Sequence, residues 1–188
     1  ERLGLVTICL ILAVVTFSYL SSQFFKIKTI NILSNKIKTD FNIIFFSDVH
    51  LGSNRNGHLR KLTYRIQKLK SDIILIGGDL IDSSSFQVEN LKILTDLNIP
   101  IYFITGNHEH YLKDFDNKMS KIKKTGFYLL NNSNITINSI NLIGLSDSTS
   151  KTEKIRIVKQ ITNKELYNIC LVHQPSIWDN VDKSVDLM

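Results

Sequence analysis

Six side chains of metal-binding type stand at four places in this chain, each at the end of an apolar run. Asp48 and His50 follow Phe41–Ser47, and Asp79 follows Ile73–Gly78. Asn107 and His108 follow Ile101–Gly106, and His173 follows Ile169–Val172. A mixed set of carboxylate, imidazole and amide suits manganese, iron or zinc better than a soft-ligand copper or iron–sulfur site. Singly, each group is weak. Asp-x-His arises often by chance, Gly77-Gly78-Asp79 reads as a turn, and a histidine such as His173 is usually a satisfied core or loop residue. The signal is their recurrence at four run ends.

Residues i and i+2 of a strand point the same way. Asp48 and His50 are therefore expected to grip one cation from one side while Val49 faces the opposite layer. Gly77 and Gly78 let the backbone approach closely before Asp79, whose two oxygens can bridge two cations. Asn107 offers a neutral hard oxygen. His108, beside it, can donate a proton or stabilise charge without binding metal.

The elements that must position these residues follow from periodicity. Short runs of β-branched and aliphatic residues bounded by Gly or polar residues read as buried strands. A helix near His58–Lys70 carries Leu62, Ile66 and Leu69 on one stripe, after a loop Gly52–Gly57. A second helix near Phe86–Leu97 has Ser83-Ser84-Ser85 as caps and stops at Asn98-Ile99-Pro100. A basic third near Tyr111–Lys124 ends at Gly126, and Lys151–Lys164 reads as an exposed fourth. Ile27–Leu33 alternates like an edge strand, and Ile135–Ile137 with Ile140–Leu145 flank Asn138-Ser139 as a hairpin. Strand alternating with helix predicts a layered α/β domain. In open α/β sheets ligands bind beyond the carboxyl ends of the strands, which is where the six residues lie.

The bulk numbers bound the partners. At 188 residues, 43% hydrophobic, the chain is about one domain. Lys and Arg (23) exceed Asp and Glu (17) by 6. The excess is scattered over helix faces, as in Lys61, Arg65, Lys68, Lys70 and Lys118, Lys121, Lys123, Lys124. Such spacing is a solvated face, so nucleic acid is not expected as a stable partner. A mild basic excess also suits a surface near anionic lipid. The two cysteines, Cys9 and Cys170, form neither a disulfide framework nor a zinc motif.

Residues 1–26 are a different material. From Leu3 to Phe25 no residue is charged, and about 20 apolar residues span a bilayer. Tyr19, Phe24 and Phe25 sit near the boundary at Lys26 and Lys28, as interfacial anchors would. A cleaved signal peptide has a shorter apolar region ending in small residues, and Ser21-Ser22 is a weak site. The expectation is an uncleaved single-pass anchor over 1–26. Lys26, Lys28, Lys36 and Lys38 outnumber Arg2, which favours a cytoplasmic location for the domain that follows.

In order, Ser-Asp48-Val-His50-Leu-Gly, Gly-Gly-Asp79-Leu-Ile-Asp, Thr-Gly-Asn107-His108-Glu109 and His173 resemble the calcineurin-like metallophosphoesterase family, from about Ile27 to the end of the chain. With the N-terminal apolar segment, the likeness is to its bacterial membrane-anchored branch, which includes phosphodiesterases and UDP-2,3-diacylglucosamine pyrophosphatases. The resemblance implies a two-sheet sandwich flanked by helices, here preceded by one transmembrane helix, with the phosphoesterase domain over 27–188. It implies that Asp48 and His50 hold a first divalent metal, Asp79 bridges, and Asn107 and His173 hold a second. His108 would protonate the leaving oxygen or stabilise the transition state. The substrate would be a phosphodiester or pyrophosphate, lipid-linked if the membrane location guides it.

One departure stands out. The family closes its site with Gly-His-x-His, one histidine to each metal, and these 188 residues contain no such motif. Ser184–Met188 reads as the strand leading into it, so the domain is expected to be incomplete at its C-terminus. The alternatives are a non-catalytic scaffold with the same fold, and a soluble-type protein phosphatase with an exported catalytic domain.

Overall fold

The computed structural model describes residues 2–21, 25–53, 57–181 and 183–188. They form two units, Glu1–Ile32 and Leu33–Met188.

In the first unit, α1 runs over Arg2–Ser21, and its described apolar side chains, among them Val6, Ile8, Leu12, Val15 and Phe17, are all exposed. Among the described residues no helix is long and apolar enough to cross a membrane. The expected span Leu3–Phe25 reaches past them, because Ser22–Phe24 lie outside the described residues, as does much of the loop Gly52–Gly57. Ile27–Leu33, expected as an edge strand, takes no strand pairing. The whole segment is exposed, with Ile27, Ile30, Ile32 and Leu33 all in solvent.

The second unit is a sandwich of two sheets. β1 (Ile43–Phe46), β2 (Ile73–Ile76), β3 (Ile101–Phe103) and β4 (Phe127–Leu129) lie side by side in that order, all parallel. β5 (Ser133–Ile137) and β6 (Ile140–Gly144) form the hairpin expected around Asn138, whose φ of 52° is the left-handed conformation a tight turn needs. β7 (Tyr167–Leu171) runs parallel to β6. Parallel neighbours need crossover connections. Helices α2 (Gly57–Gln67), α3 (Lys92–Thr95, entered by a 3-10 turn, Val88–Leu91) and α5 (Phe115–Lys124) serve the first sheet, and α6 (Lys151–Ile161) the second.

Alternation along the strands builds the layers. Ile73 and Leu75 of β2 join Tyr102, Leu142, Ile169 and Leu171 between the sheets. Cys170, one residue out of phase, faces the other way with Val158 of α6 and Ile177 and Val181. Helices thus cover the sheets, as the sequence pattern requires.

Boundaries moved where local chemistry differs from periodicity. The second helix shrinks to the 3-10 turn and α3. Ser83 caps neither; its hydroxyl instead accepts the Ser85 N–H at 3.2 Å. The third begins at Phe115, and Tyr111 belongs to a separate turn, α4 (Asn107–His110), as its C-cap. Lys118 is buried, its ammonium donating to the Phe86 carbonyl. Lys154 on α6 is buried too, 3.6 Å from the Asp147 carboxylate and donating to the Asp147 carbonyl at 3.2 Å. These two are anchors and not solvated charge. Ser184–Met188 contributes one bridge, Leu187 beside Ile169, and no full strand.

Candidate metal centre

Beyond the carboxyl ends of β1 and β2 the chains stay paired without being strands. Asp48 N–H donates to Gly78 O at 3.1 Å, His50 N–H to Asp79 O at 3.0 Å, and Leu51 N–H to Leu80 O at 2.8 Å. Asp48, His50 and Asp79 all have φ between 52° and 57°. The Asp-x-His pair therefore converges through two left-handed residues around Val49, and not through strand alternation. Asp and His are among the residues that tolerate this region.

Gly78 makes the crossing of three loops possible. Its φ is 96°, and a Cβ there would lie 2.7 Å from Gly106 N and 2.9 Å from His173 Nδ1. The β2, β3 and β7 ends meet at that point. A Cβ on Gly106 would likewise run into the Asp79 carboxylate.

The six expected residues come together in one cleft. Asp79, 3% exposed, is central. Its Oδ2 lies 3.3 Å from His173 Nε2, 3.9 Å from His50 Nε2 and 4.0 Å from His108 Nε2, while Oδ1 accepts the His108 N–H at 2.9 Å. Asp48 Oδ1 is 3.9 Å from His50 Nε2. Asn107 Oδ1 is 3.1 Å from His173 Nε2. By proximity the ligand atoms fall into two triads sharing Asp79: His50–Asp79–His108 and Asp48–Asp79–His173, each within 4.8 Å. This grouping differs from the division implied by the resemblance, which put Asp48 with His50 and left His108 off the metals.

The His173 tautomer tests whether a cation fits. Its Nδ1 is 2.9 Å from the Gly77 carbonyl oxygen, which only accepts, so Nδ1 carries the hydrogen. Nε2 of the neutral ring then presents a lone pair to two further acceptors, Asn107 Oδ1 and Asp79 Oδ2. Three lone pairs aimed at one another need either an imidazolium or a cation between them. The donor chemistry fits a divalent ion.

Three further residues serve the site without a role assigned from sequence. Glu109, fully buried, accepts the backbone N–H groups of Asp79 (3.0 Å), Ile81 (2.8 Å) and Gly106 (2.8 Å). It welds the loop carrying Asp79 to the turn carrying Asn107 and His108. Burial holds its carboxyl above the usual range, reinforced by the charge of Asp79 and opposed by the three N–H donors. Asp82 places Oδ2 3.6 Å from His50 Nδ1 and accepts the Ser53 N–H at 2.9 Å. A carboxylate behind a ligating imidazole fixes ring orientation. His110 Nε2 lies 2.9 Å from Thr105 Oγ1 and 3.1 Å from Ser146 Oγ, joining the two sheets, and burial lowers its pKa. The signals were present: a Glu at the third helical position, able to reach back to the N-cap, and a second acid three residues after Asp79.

The family profile described as calcineurin-like phosphoesterase matches residues 41–185. An uncharacterized metallophosphoesterase of Campylobacter jejuni is 28% identical over 160 residues, 80% of this chain and 42% of that protein. A Bos taurus protein named as a transmembrane protein with metallophosphoesterase domain is 31% identical over 101 residues, 52% of this chain and 23% of its own length. This chain thus spans less than half of these relatives. A crystal structure from Thermus thermophilus superposes with a TM-score of 0.56 at 10% identity, covering 78% of each chain, a likeness of fold.

Proposed function

Since the chain belongs to the calcineurin-like phosphoesterase family, we propose that it hydrolyses a phosphodiester or pyrophosphate bond at a dinuclear divalent-metal centre built on Asp79. The observation that carries this is the convergence of Asn107 Oδ1 and Asp79 Oδ2 on His173 Nε2, at 3.1 and 3.3 Å. When bound, two cations sharing Asp79 would polarise the phosphoryl oxygens and lower the pKa of a water nucleophile.

The remaining work falls to the chain. Asp48, His50, Asn107 and His173 supply the other ligands, and Glu109 and Asp82 hold them in place. His108, half-exposed above Asp79, is the proton carrier: Nε2 gives a proton to the leaving oxygen as its bond to phosphorus breaks. Its ring packs edge-on against His50 at 4.5 Å and 87°, which limits its rotation.

Attachment to a membrane through the N-terminal segment is part of this reading. Support comes from the uncharged run Leu3–Phe25 and from the exposure of the described apolar side chains of α1. The lysine excess after it favours a cytoplasmic catalytic unit, and that location favours a lipid-linked substrate. Resistance to carbonate extraction is expected; recovery of a mature protein starting near Ser21 or Ser22 would show a signal peptide instead.

The chemical test uses the full-length protein carrying this chain: manganese-supported hydrolysis of bis(p-nitrophenyl) phosphate, with metal content measured alongside. Asp79→Asn should cost most, because it weakens both metals. His108→Ala should keep its metal and lose about 10²–10⁴ in rate. Unchanged hydrolysis by Asp79→Asn, or a wild type that binds manganese and cleaves no phosphoester, would overturn the mechanism.

A further inference from the structure

His108 and Tyr111 stand three residues apart on one turn, the spacing that puts two side chains on the same helical face. Their rings meet edge to face, centroids 5.9 Å apart at 64°. Tyr111 is thus one ring away from the residue that faces Asp79. The turn beneath it is fixed: Tyr111 N–H donates to His108 O at 3.2 Å, and Glu109 ties the same turn to the Asp79 loop. Yet Tyr111 is 74% exposed, the most exposed aromatic ring among the described residues of Leu33–Met188. The other described exposed tyrosines have their partners away from the site. The Lys68 ammonium sits 4.1 Å from the Tyr64 ring, and Tyr128 stacks on Tyr102 at 5.1 Å. A large ring on a rigid turn beside the reacting centre, left mostly in water, is arranged for a visitor.

We propose that Tyr111 is the wall of a leaving-group subsite whose occupant carries a planar π-system, an aryl or nucleobase ring, esterified to the scissile phosphate. This rests on the reading of the site as a phosphoesterase with His108 as proton donor. In that reaction the water oxygen bonds to phosphorus while the bond from phosphorus to the leaving oxygen breaks. The leaving oxygen takes the proton of His108, and the water's proton restores it. The organic group on the leaving oxygen therefore passes His108, and the next ring along that face is Tyr111. A ring stacked there is held by the aromatic face and by exclusion of water, without base-specific hydrogen bonds. Selectivity should be for planarity over size.

Affinity for three non-chromogenic diesters tests this in the manganese-loaded full-length protein: dimethyl phosphate, diphenyl phosphate and thymidylyl-thymidine. Each is measured by competition against bis(p-nitrophenyl) phosphate and directly by calorimetry. Tyr111→Ala should weaken at least one ring-bearing ligand by about 5- to 10-fold, the low end of base–aromatic stacking. Dimethyl phosphate and manganese content should stay within about twofold, and Tyr111→Phe should match wild type. Loss for diphenyl phosphate alone assigns an aryl group, and loss for both an unselective π-surface. Equal weakening of all three ligands, or no change in any, overturns the subsite. The parent reading fails separately: a wild type that binds manganese without hydrolysis refutes the enzyme, while calorimetry still decides the ring preference.

Discussion

Replacing Glu109 separates the weld from the ligands it positions. Its carboxylate is the acceptor for three backbone N–H groups, two on Oε2 (Asp79 and Gly106) and one on Oε1 (Ile81). Glu109→Ala orphans all three inside the protein, at about 1–3 kcal/mol each. Water entering the vacated space, and release from burying a carboxylate, offset part of that. The net loss should be about 3–5 kcal/mol, comparable to breaking a buried charged pair. Glu109→Gln keeps the shape but turns one acceptor into a donor. Placing its oxygen toward Asp79 and Gly106 leaves an NH₂ facing the Ile81 N–H, at about 1–3 kcal/mol. For a unit of this size, thermal unfolding should drop by about 2–12 °C for Gln and about 6–20 °C for Ala. Because the weld fixes Asp79 relative to Asn107 and His108, manganese affinity should fall about 10- to 100-fold in both variants. Calorimetric melts with and without manganese, plus a metal titration, read both effects. Glu109→Ala melting within 2 °C of wild type at unchanged manganese affinity would refute the argument, as would a Gln variant less stable than Ala.

Two other outcomes follow from burial. His110 is held below its ordinary value of 6.5, chiefly by burial, with Lys154 adding and Asp147 opposing. The unfolded chain then takes up the proton first, so stability should fall as pH drops below about 6.5. His110→Gln should lose that slope in melts between pH 5 and 8, and an identical slope in both proteins would show that the titration lies elsewhere. The Cys170 thiol is pushed up to about 12 by burial beside Val158 of α6, Ile177 and Val181. It should resist a thiol reagent at neutral pH until the protein is unfolded, and Cys170→Ala should leave the native labelling rate unchanged. Labelling of native Cys170 at the rate of a free thiol would contradict the packing.

The strands, the hairpin at Asn138 and the meeting of Asp48, His50, Asp79, Asn107, His108 and His173 were legible because each rests on a local rule. A short apolar run makes a strand, and parallel strand ends share an edge. The geometry of Asp48 and His50 was not, since left-handed φ at successive ligands depends on Gly78 O and Asp79 O drawing in their N–H groups. Glu109 and Asp82 were visible as letters, but their work needs three-dimensional partners 28 to 32 residues away, which no local pattern records. Lys118 and Lys154 misled for the converse reason. Their spacing is that of a solvated face, and only Phe86 O and Asp147 explain why they are buried.

The left-handed backbone at Asp48, His50 and Asp79 also bears on how this centre can evolve. An L-residue held there carries about 1–2 kcal/mol that glycine would not. Asp48 shows this best: its side chain is 55% exposed, so little packing depends on it. Glycine at that position should yield a metal-free fold at least as stable as the original. Drift toward stability alone would therefore erode the ligands, and only selection for the bound ion retains a carboxylate there. A relative that has stopped using its metal should betray itself first by glycine or asparagine at this position, before its core changes at all.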